Sequence, residues 1–341
     1  KWEQIQGVYI HTPFCLQKCL YCDFASYAGA DTETMEKYVD AVCSEIMMRS
    51  NEVTIADQAT LYFGGGTPSL LSEKLLAKLV EALQKNGCWL QPAEATIEVN
   101  PGTADLDKLR FFKDLGFDRI SFGVQSLNDA ELRAVGRIHT ANEALDAITM
   151  AEKAGFTRVS ADLIYGLPEQ SLQTLKTSLQ NLTAAGLQHL SVYGLTIEKN
   201  TPLAGMLDKG KVELPDEDCQ LAMYELVQEY LEAQGLHRYE ISNYAVSGQE
   251  SRHNLVYWHY LPYLSFGSSA CSFNGSQRFT ATDSVTDYIE SIQSGKSCGG
   301  FEDLTKEMQL SEYLFMGLRT TVGIDLIETE QRFGCDVMLE F

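Results

Sequence analysis

The stretch Cys15-Leu-Gln-Lys-Cys19-Leu-Tyr-Cys22 decides how the rest of this chain is interpreted. Its three cysteines lie within eight residues, directly after a short apolar run at residues 7–10. Thiolates grouped this closely favour zinc or an iron–sulfur cluster over a packing role. A zinc site usually has four protein ligands, often in two C-x-x-C pairs, and the sequence contains no second C-x-x-C. A four-iron cluster held by only three cysteines leaves one iron open to a small chelating molecule, so the sequence favours a cluster.

The spacing C-x-x-x-C-x-x-C after a strand resembles the cluster motif of the radical S-adenosylmethionine (SAM) superfamily. The flanking Tyr9-Ile-His11-Thr-Pro13-Phe14 is similar to the group that contains oxygen-independent coproporphyrinogen III dehydrogenases (oxidases) and HemW-type heme chaperones. In that superfamily SAM chelates the open iron, and an electron from the cluster cleaves SAM to a 5′-deoxyadenosyl radical. The resemblance implies a [4Fe-4S] cluster on Cys15, Cys19 and Cys22. Three merely structural cysteines are the alternative, which the further motifs below disfavour.

Length and composition limit the remaining possibilities. The 341 residues, 45% of them hydrophobic, suggest two domains or one large barrel with an appendage. Nine cysteines are too few for a disulfide scaffold and fit a reducing compartment. We find neither a signal peptide nor an apolar run that could span a membrane, and so expect a cytoplasmic location. The formal charge of −21 argues against a broad phosphate-binding surface, so we expect no nucleic acid among the partners.

One structural unit recurs along the first half of the chain. Gly116, Gly155 and Gly186 each follow a helical pattern and precede a short turn and an apolar run. Amphipathic stretches separate most of the apolar runs, and such alternation indicates a parallel sheet with right-handed crossovers. The predicted strands lie near 7–11, 59–63, 95–99, 119–124, 158–164 and 189–195.

These units predict an α/β fold. Six strand–helix units are too few for a closed eight-stranded barrel, so we predict a partial (β/α)6 barrel at residues 1–200 rather than an open doubly wound sheet. The resemblance to the radical SAM superfamily implies the same barrel. Residues 198–215 are interpreted as a linker, after which Asp216 is predicted to cap a long helix that runs to Gly235. A smaller α+β domain at residues 216–341 resembles the C-terminal domain of HemN- and HemW-like proteins.

Polar and glycine residues mark the ends of successive predicted strands, where parallel barrels carry their chemistry. Each has an ordinary alternative when taken alone: a tight turn, a helix cap or a surface charge. In series they indicate a ligand site, since such groups in a barrel mouth are costly unless they bind something. The resemblance implies SAM contacts by Tyr9, Tyr21, Gly65, Gly66, Thr67, Glu98, Gln125, Arg137 and Asp162.

A second motif lies far from the cysteines, in the segment His253-Asn-Leu-Val-Tyr257-Trp258. It matches the H-N-x-x-Y-W motif of HemW-type chaperones, and the resemblance implies that His253, Tyr257 and Trp258 contact heme. The ordinary alternative is a core histidine beside an aromatic pair. Where relatives read G-A-H-G, this chain has Cys271 in place of the histidine. A thiolate is also a good heme ligand, so Cys271 is a further candidate donor.

Two departures separate this chain from the dehydrogenases. Those enzymes carry a fourth cysteine where this sequence has Phe24, and they have an extension ahead of the cluster strand that this sequence almost lacks. The resemblance therefore favours a heme chaperone, with no catalytic residue assigned, that carries heme to an apoprotein. We expect that acceptor to be a respiratory, membrane-associated protein, and expect an electron donor as a further partner. The alternative is a coproporphyrinogen III dehydrogenase, which oxidatively decarboxylates two propionates to vinyl groups.

Overall fold

The structure is a computed structural model that describes residues 4–51, 53–89 and 91–334. The ends of the two predicted domains, residues 1–3 and 335–341, lie outside the described residues. In chain order the strands are β1 Ile5–Thr12, β2 Phe14–Cys15, β3 Tyr27–Ala28, β4 Ile55–Gly65, β5 Ala95–Val99, β6 Arg119–Gln125, β7 Arg158–Tyr165, β8 His189–Gly194, β9 His237–Arg238, β10 Asn243–Ala245, β11 Tyr263–Phe266, β12 Cys271–Phe273, β13 Gln277–Ala281 and β14 Gly299–Asp303.

Helices cover much of the chain between these strands. They are α1 Thr32–Ser50, α2 Glu73–Lys85, α3 Leu106–Asp114, α4 Asp129–Ala134, α5 Ala141–Lys153, α6 Leu172–Ala184, α7 Pro202–Asp208, α8 Glu217–Ala233, α9 Arg252–Trp258, α10 Val285–Gln293, α11 Lys306–Gly317 and α12 Leu326–Phe333, with a short 3₁₀ helix at Pro68–Leu70. Within the described residues, none of the helices is both long and apolar enough to cross a bilayer.

The centre of the fold is a parallel sheet in the order β1-β4-β5-β6-β7-β8. All six predicted strands are present, which confirms the α/β fold with a parallel core. Helices α3, α5 and α6 end just before Gly116, Gly155 and Gly186, whose φ angles of +104°, +92° and +80° reverse the chain into the next strand. Glycine adopts this left-handed conformation without the steric cost that a side chain would add. These three glycines therefore return the chain from α3, α5 and α6 into β6, β7 and β8.

Strands from the C-terminal half extend this sheet at both edges. Strand β11 pairs in parallel with β1, with Gly7 opposite Tyr263 and Ile10 opposite Phe266. Strands β12, β13 and β14 follow as antiparallel neighbours, while β10 and β9 lie antiparallel beyond β8. Elements of the predicted C-terminal domain thus share one twelve-stranded sheet with the predicted barrel. The division at residues 200 and 216 stays a prediction.

The predicted linker contains a helix. Thr201 caps α7, whose Leu203 is fully buried and donates its backbone N–H to the carbonyl oxygen of Leu20 at 2.9 Å. The segment therefore packs on the cysteine loop instead of joining two units freely. Beyond it, Asp216 caps α8 by accepting the Cys219 N–H at 2.8 Å, as predicted, and the helix ends at Ala233.

Candidate functional site

The cysteine loop leaves the sheet at the end of β1 and is closed by a small parallel ribbon. Strand β2 pairs with β3, placing Cys15 opposite Ala28. Cys19 and Cys22 lie on the loop between them, and the Cys22 N–H donates to the Cys19 carbonyl oxygen at 3.2 Å. All three cysteines are free and half-buried. Their sulfur atoms are thus available to bind a metal cluster at the end of the sheet where β1 leads into this loop.

The segment after α4 holds this loop in place. The Leu20 N–H donates to the Val135 carbonyl oxygen at 3.0 Å, and the Gln17 side-chain amide donates to the Gly136 carbonyl oxygen at 3.0 Å. Gly136 has a φ of +76°, and a Cβ added there would lie 3.0 Å from the Leu20 side chain. The glycine therefore permits both the turn and the close approach of the loop.

Polar side chains connect two of the cysteines through the barrel mouth. The Arg137 guanidinium donates to Cys19 Sγ at 3.4 Å and to Asn100 Oδ1 at 2.9 Å. The Asn100 amide donates to Thr67 Oγ1 at 2.8 Å, and the Thr67 hydroxyl lies 3.6 Å from Cys15 Sγ as a donor. Sequence reasoning missed Asn100, although its position directly after β5 was a usable signal. A cation beside thiolates stabilises their charged, metal-binding form.

Gly65 and Gly66 form a turn at the end of β4, and contacts within the protein already require glycine at both positions. Gly65 has a φ of +109°, and a Cβ there would lie 2.5 Å from the His11 ring. A Cβ on Gly66 would lie 2.7 Å from the Phe14 carbonyl oxygen. The sequence analysis assigned these glycines only to a ligand site. In the structure they first allow β4 to pass the end of β1, so a larger residue would disturb the cysteine loop itself.

Glu98 and Asp162 are two of the carboxyl groups that line the mouth. Glu98 accepts hydrogen bonds from the Tyr62 hydroxyl at 2.7 Å and from the Gly65 N–H at 3.1 Å. Burial, with the charge of Asp162, raises the pKa of Glu98 to about 7. Burial likewise raises the pKa of Asp162, which accepts from the Ser121 hydroxyl at 3.3 Å. Such carboxyl groups gain from a cationic ligand, because its charge would restore the ionised form.

These groups surround a cavity of about 550 Å³ at the carboxyl ends of the strands. This volume suits a small-molecule ligand. The cavity brings together most of the predicted residues, namely Cys15, Cys19, Tyr21, Cys22, Gly65, Gly66, Thr67, Glu98, Gln125, Arg137 and Asp162. It also includes residues that the sequence analysis did not single out, among them Asn100, Ser121, Tyr193 and Glu198. Asn100 could have been suspected from its place directly after β5, and Ser121 from its place on β6, whereas Glu198 had been assigned to the linker.

A second cavity of about 470 Å³ adjoins the first. Both cavities are lined by Asp23, Phe24, Gly65 and Glu98. Tyr9 and Tyr257 line the second cavity, together with Tyr263, Ser265 and Cys271. Tyr9, which the resemblance assigned to SAM, therefore faces the neighbouring space, where its hydroxyl lies 3.2 Å from His11 Nδ1.

His253 is bonded within the protein core. It is 1% exposed, with Nδ1 2.8 Å from the Thr60 hydroxyl and Nε2 2.8 Å from the Tyr257 hydroxyl. Burial lowers its pKa to about 3. Both ring nitrogens are occupied, so this arrangement does not favour His253 as an iron ligand. Trp258 is half-buried at the end of α9 and lines neither cavity. Heme contacts by this motif stay a prediction.

Iron–sulfur ligation does not require the three cysteines to meet at one point. In the part of the chain that the structure describes, no three His, Cys, Asp or Glu side chains converge to hold a single metal ion. The ligands of a four-iron cluster each bind a different iron atom, so their sulfur atoms stand apart. The open loop at the cavity suits that geometry.

A parallel sheet with three free cysteines at its mouth defines the class, and comparisons with known proteins agree. Residues 9–182 match the model of the radical SAM superfamily. The chain is 35% identical over 335 residues to heme chaperone HemW of Bacillus subtilis (strain 168), covering 97% of this chain and 87% of that protein. Heme chaperone HemW of Escherichia coli (strain K12) is 37% identical, over 77% of this chain and 69% of that protein. The chain belongs to the radical SAM superfamily, in the family of these HemW proteins.

A vertebrate relative and a solved structure extend the comparison. The mitochondrial radical S-adenosyl methionine domain-containing protein 1 of Danio rerio is 34% identical, over 93% of this chain and 73% of that protein. Coproporphyrinogen III oxidase (HemN) from Escherichia coli superposes with a TM-score of 0.84 at 23% identity, covering 98% of this chain and 80% of that structure. At this identity the likeness shows a common fold.

Proposed function

We propose that this protein is a heme chaperone that holds a [4Fe-4S] cluster and SAM at the barrel mouth and carries heme to an apoprotein. The observation that carries this proposal is the similarity, over 97% of the chain, to a protein named heme chaperone HemW. Such coverage includes the cysteine loop, the cavity residues and the α9 motif together. The proposal therefore rests on the whole chain rather than on one motif.

The described residues fit both cofactors. Cys15, Cys19 and Cys22 are free and would hold the cluster. The buried Arg137 Nε has no hydrogen-bond partner in the chain, which leaves one donor to offer to a ligand carboxylate. Glu98 and Asp162 would accept hydrogen bonds from cationic or hydroxyl groups of SAM. Together, the cluster and SAM supply one-electron chemistry at this mouth.

The alternative function is that of a coproporphyrinogen III dehydrogenase. It is favoured by the common fold with the Escherichia coli coproporphyrinogen III oxidase. It is disfavoured by Phe24, which stands where those enzymes have their fourth cysteine and supplies no sulfur. The Phe24 side chain is 71% exposed and lines both cavities. An apolar ring in this place suits contact with a bound molecule better than metal ligation.

The partners of such a chaperone follow from its role. It needs an apoprotein that accepts heme, for which we propose a membrane-associated respiratory protein, and an electron donor that reduces the cluster. A reducing compartment such as the cytoplasm suits the free thiols of the cysteine loop.

Two anaerobic assays on the cluster-loaded protein test this function. In the first, heme is titrated into the protein while the Soret band is followed, and an apo-cytochrome is then added to take the heme. We expect saturable binding and transfer. In the second, the protein is incubated with coproporphyrinogen III, SAM and a reductant. We expect no vinyl product, and its formation at a catalytic rate would replace the chaperone by the dehydrogenase.

A further inference from the structure

The second cavity contains a metal-binding atom that the cofactors of the first cavity do not use. Cys271, on β12, is half-buried and lines this cavity. Its Sγ accepts a hydrogen bond from the Thr280 hydroxyl at 3.7 Å. Tyr263 lines the same cavity, and burial and the nearby Cys271 thiol both raise the pKa of its phenol. Asp23 and Glu98 are the acidic residues in the described lining of this cavity.

A buried serine gives an independent sign that the cavity receives a ligand. Ser265 lies on β11 opposite Tyr9 on β1, lines the cavity and is 1% exposed. Its Oγ has no hydrogen-bond partner. A buried hydroxyl without a partner costs free energy, which a bound polar group can recover. The backbone N–H and carbonyl groups of Ser265 already form hydrogen bonds with Ser272 and Arg49, so its side-chain hydroxyl is the group that lacks a partner.

The walls of the cavity suit a flat aromatic molecule. Tyr257 and Tyr263 meet edge to face with ring centroids 4.7 Å apart, and Phe24 forms the boundary with the first cavity. Aromatic rings beside a small number of placed polar groups, here Asp23, Glu98 and Ser265, are typical of sites for planar ligands that also carry polar groups. The volume of about 470 Å³ lies within the usual range for small-molecule pockets.

We propose that the heme cargo binds in this second cavity, with Cys271 Sγ as its axial iron ligand. This inference rests on the proposed chaperone function, and it replaces His253 by a residue whose metal-binding atom faces a cavity. Coordination forms one Fe–S bond and releases the thiol proton to solvent, without any electron transfer. Tyr257 and Tyr263 would provide the walls, and no Lys or Arg is among the described lining residues to pair with a propionate inside the cavity.

Heme titration of the cluster-loaded protein tests the ligand. The wild type and a matched Cys219→Ser control, altered at another half-buried cysteine on α8, should show the red-shifted Soret band of a thiolate-bound ferrous carbonyl complex. Cys271→Ser should lose this band and bind heme at least tenfold more weakly. A thiolate spectrum that persists in Cys271→Ser overturns the inference, as does a histidine-type spectrum in the wild type. In both cases the chaperone function survives, whereas a wild type that binds no heme overturns both.

A second variant tests the cavity without touching the thiol. Ser265→Val removes a hydroxyl that makes no hydrogen bond and introduces a residue that strands favour, so the fold should persist. The added carbon narrows the cavity, so heme affinity should fall several-fold while the bound fraction keeps its thiolate spectrum. Unchanged affinity in Ser265→Val, with the cluster content equal to that of the wild type, would place the heme elsewhere.

Discussion

The cysteine loop and helix α9 both carry side chains with metal-binding atoms, but their surroundings differ. Cys15 and Cys19 each receive one side-chain hydrogen bond, from Thr67 and Arg137, and remain free and half-buried. His253 is buried with both ring nitrogens occupied. Both regions match motifs of one family, so residue identity alone does not distinguish them. What distinguishes a site from a core is whether the polar atoms still need partners.

The largest expected effect comes from the cysteine loop. Cys15→Ala, Cys19→Ala or Cys22→Ala should each abolish the broad charge-transfer absorption of the reconstituted protein, because a cluster with two protein ligands is not retained. Iron and sulfide content, measured anaerobically, should fall with it.

The matched controls for this loop are cysteines elsewhere in the chain. Cys43→Ala, Cys88→Ala and Cys219→Ala should keep the absorption, since these residues line neither the first nor the second cavity. A requirement for any of them would show that the cluster has a fourth cysteine ligand and would remove the open iron.

The second effect concerns His253 as part of the core. His253→Ala should lower the free energy of unfolding by about 2–4 kcal/mol, because it opens a cavity and leaves the hydroxyls of Thr60 and Tyr257 without their partner. Urea unfolding of the apoprotein measures this change, with the exposed His259→Ala as a control near zero. Heme affinity of the folded fraction should stay within about twofold. A large loss of heme binding with unchanged stability would show that His253 is a heme ligand. Helix α9 would then be a binding site like the cysteine loop.

The same residue predicts a dependence of stability on pH. Burial lowers the pKa of His253 to about 3 from the usual 6.5, so between these values the unfolded chain binds the proton and the folded protein does not. Stability should therefore fall as pH drops from 6.5 towards 3, by up to about 1.4 kcal/mol per pH unit from this group. His253→Ala should remove that contribution, which unfolding curves at several pH values would reveal.

The third effect is expected at the barrel mouth, beside the cysteine loop. The pKa of Glu98 is raised to about 7, so the ionised form that suits cationic SAM dominates only above that pH. SAM should bind more weakly as pH falls below 7, approaching about tenfold per unit, when measured by calorimetry on the reconstituted protein. Glu98→Gln should flatten this profile.

Glu98 and its neighbour Tyr62 provide further checks. Tyr62→Phe removes a hydrogen bond that lowers the pKa of Glu98, so the midpoint of the SAM profile should move to higher pH. If SAM affinity in the wild type did not depend on pH, Glu98 would not be part of the SAM-binding site.

The smallest effects are expected at helix caps outside both the cysteine loop and α9, which serve as controls for overall stability. Thr140→Ala removes the capping box of α5 on the barrel, and Asp216→Ala removes the cap of α8. Each should cost about 1 kcal/mol of stability, as typical caps do. Neither should change cluster content or SAM and heme affinity. If the loss of a cap alone changed cluster content, SAM affinity or heme affinity, these properties would depend on overall stability. The cysteine loop and α9 could then not be distinguished by such measurements.

The sequence predicted the parts of the structure that repeat or act locally. Gly116, Gly155 and Gly186 located the crossovers, because a left-handed residue after a helix leaves a signal in the sequence. Asp216 located the start of α8, because an aspartate that caps the first turn of a helix is also a local signal in the sequence. The cysteine loop was recognisable from its spacing alone.

Contacts between distant segments were not predictable in the same way. Nothing in the four residues Tyr263–Phe266 indicates that they pair with β1, which precedes them by some 250 residues. The partners of His253 come from β4 and from its own helix, so its occupied nitrogens are visible only in three dimensions. The short α7 was hidden among residues typical of a linker. The resemblance assigned Tyr9 to SAM, while in the structure Tyr9 lines the second cavity.

The pairing of β1 with β11 has a consequence for the order of events during synthesis. Strand β1 leads directly into the cysteine loop, yet one of its two neighbours is complete only after residue 266 has left the ribosome. Until then one edge of β1 has unpaired backbone groups, and such non-local pairing forms slowly. The cysteine loop therefore follows a strand whose second edge is paired only after β11 has been synthesised, and a chain that stalls before β11 would carry these thiols next to an unpaired edge.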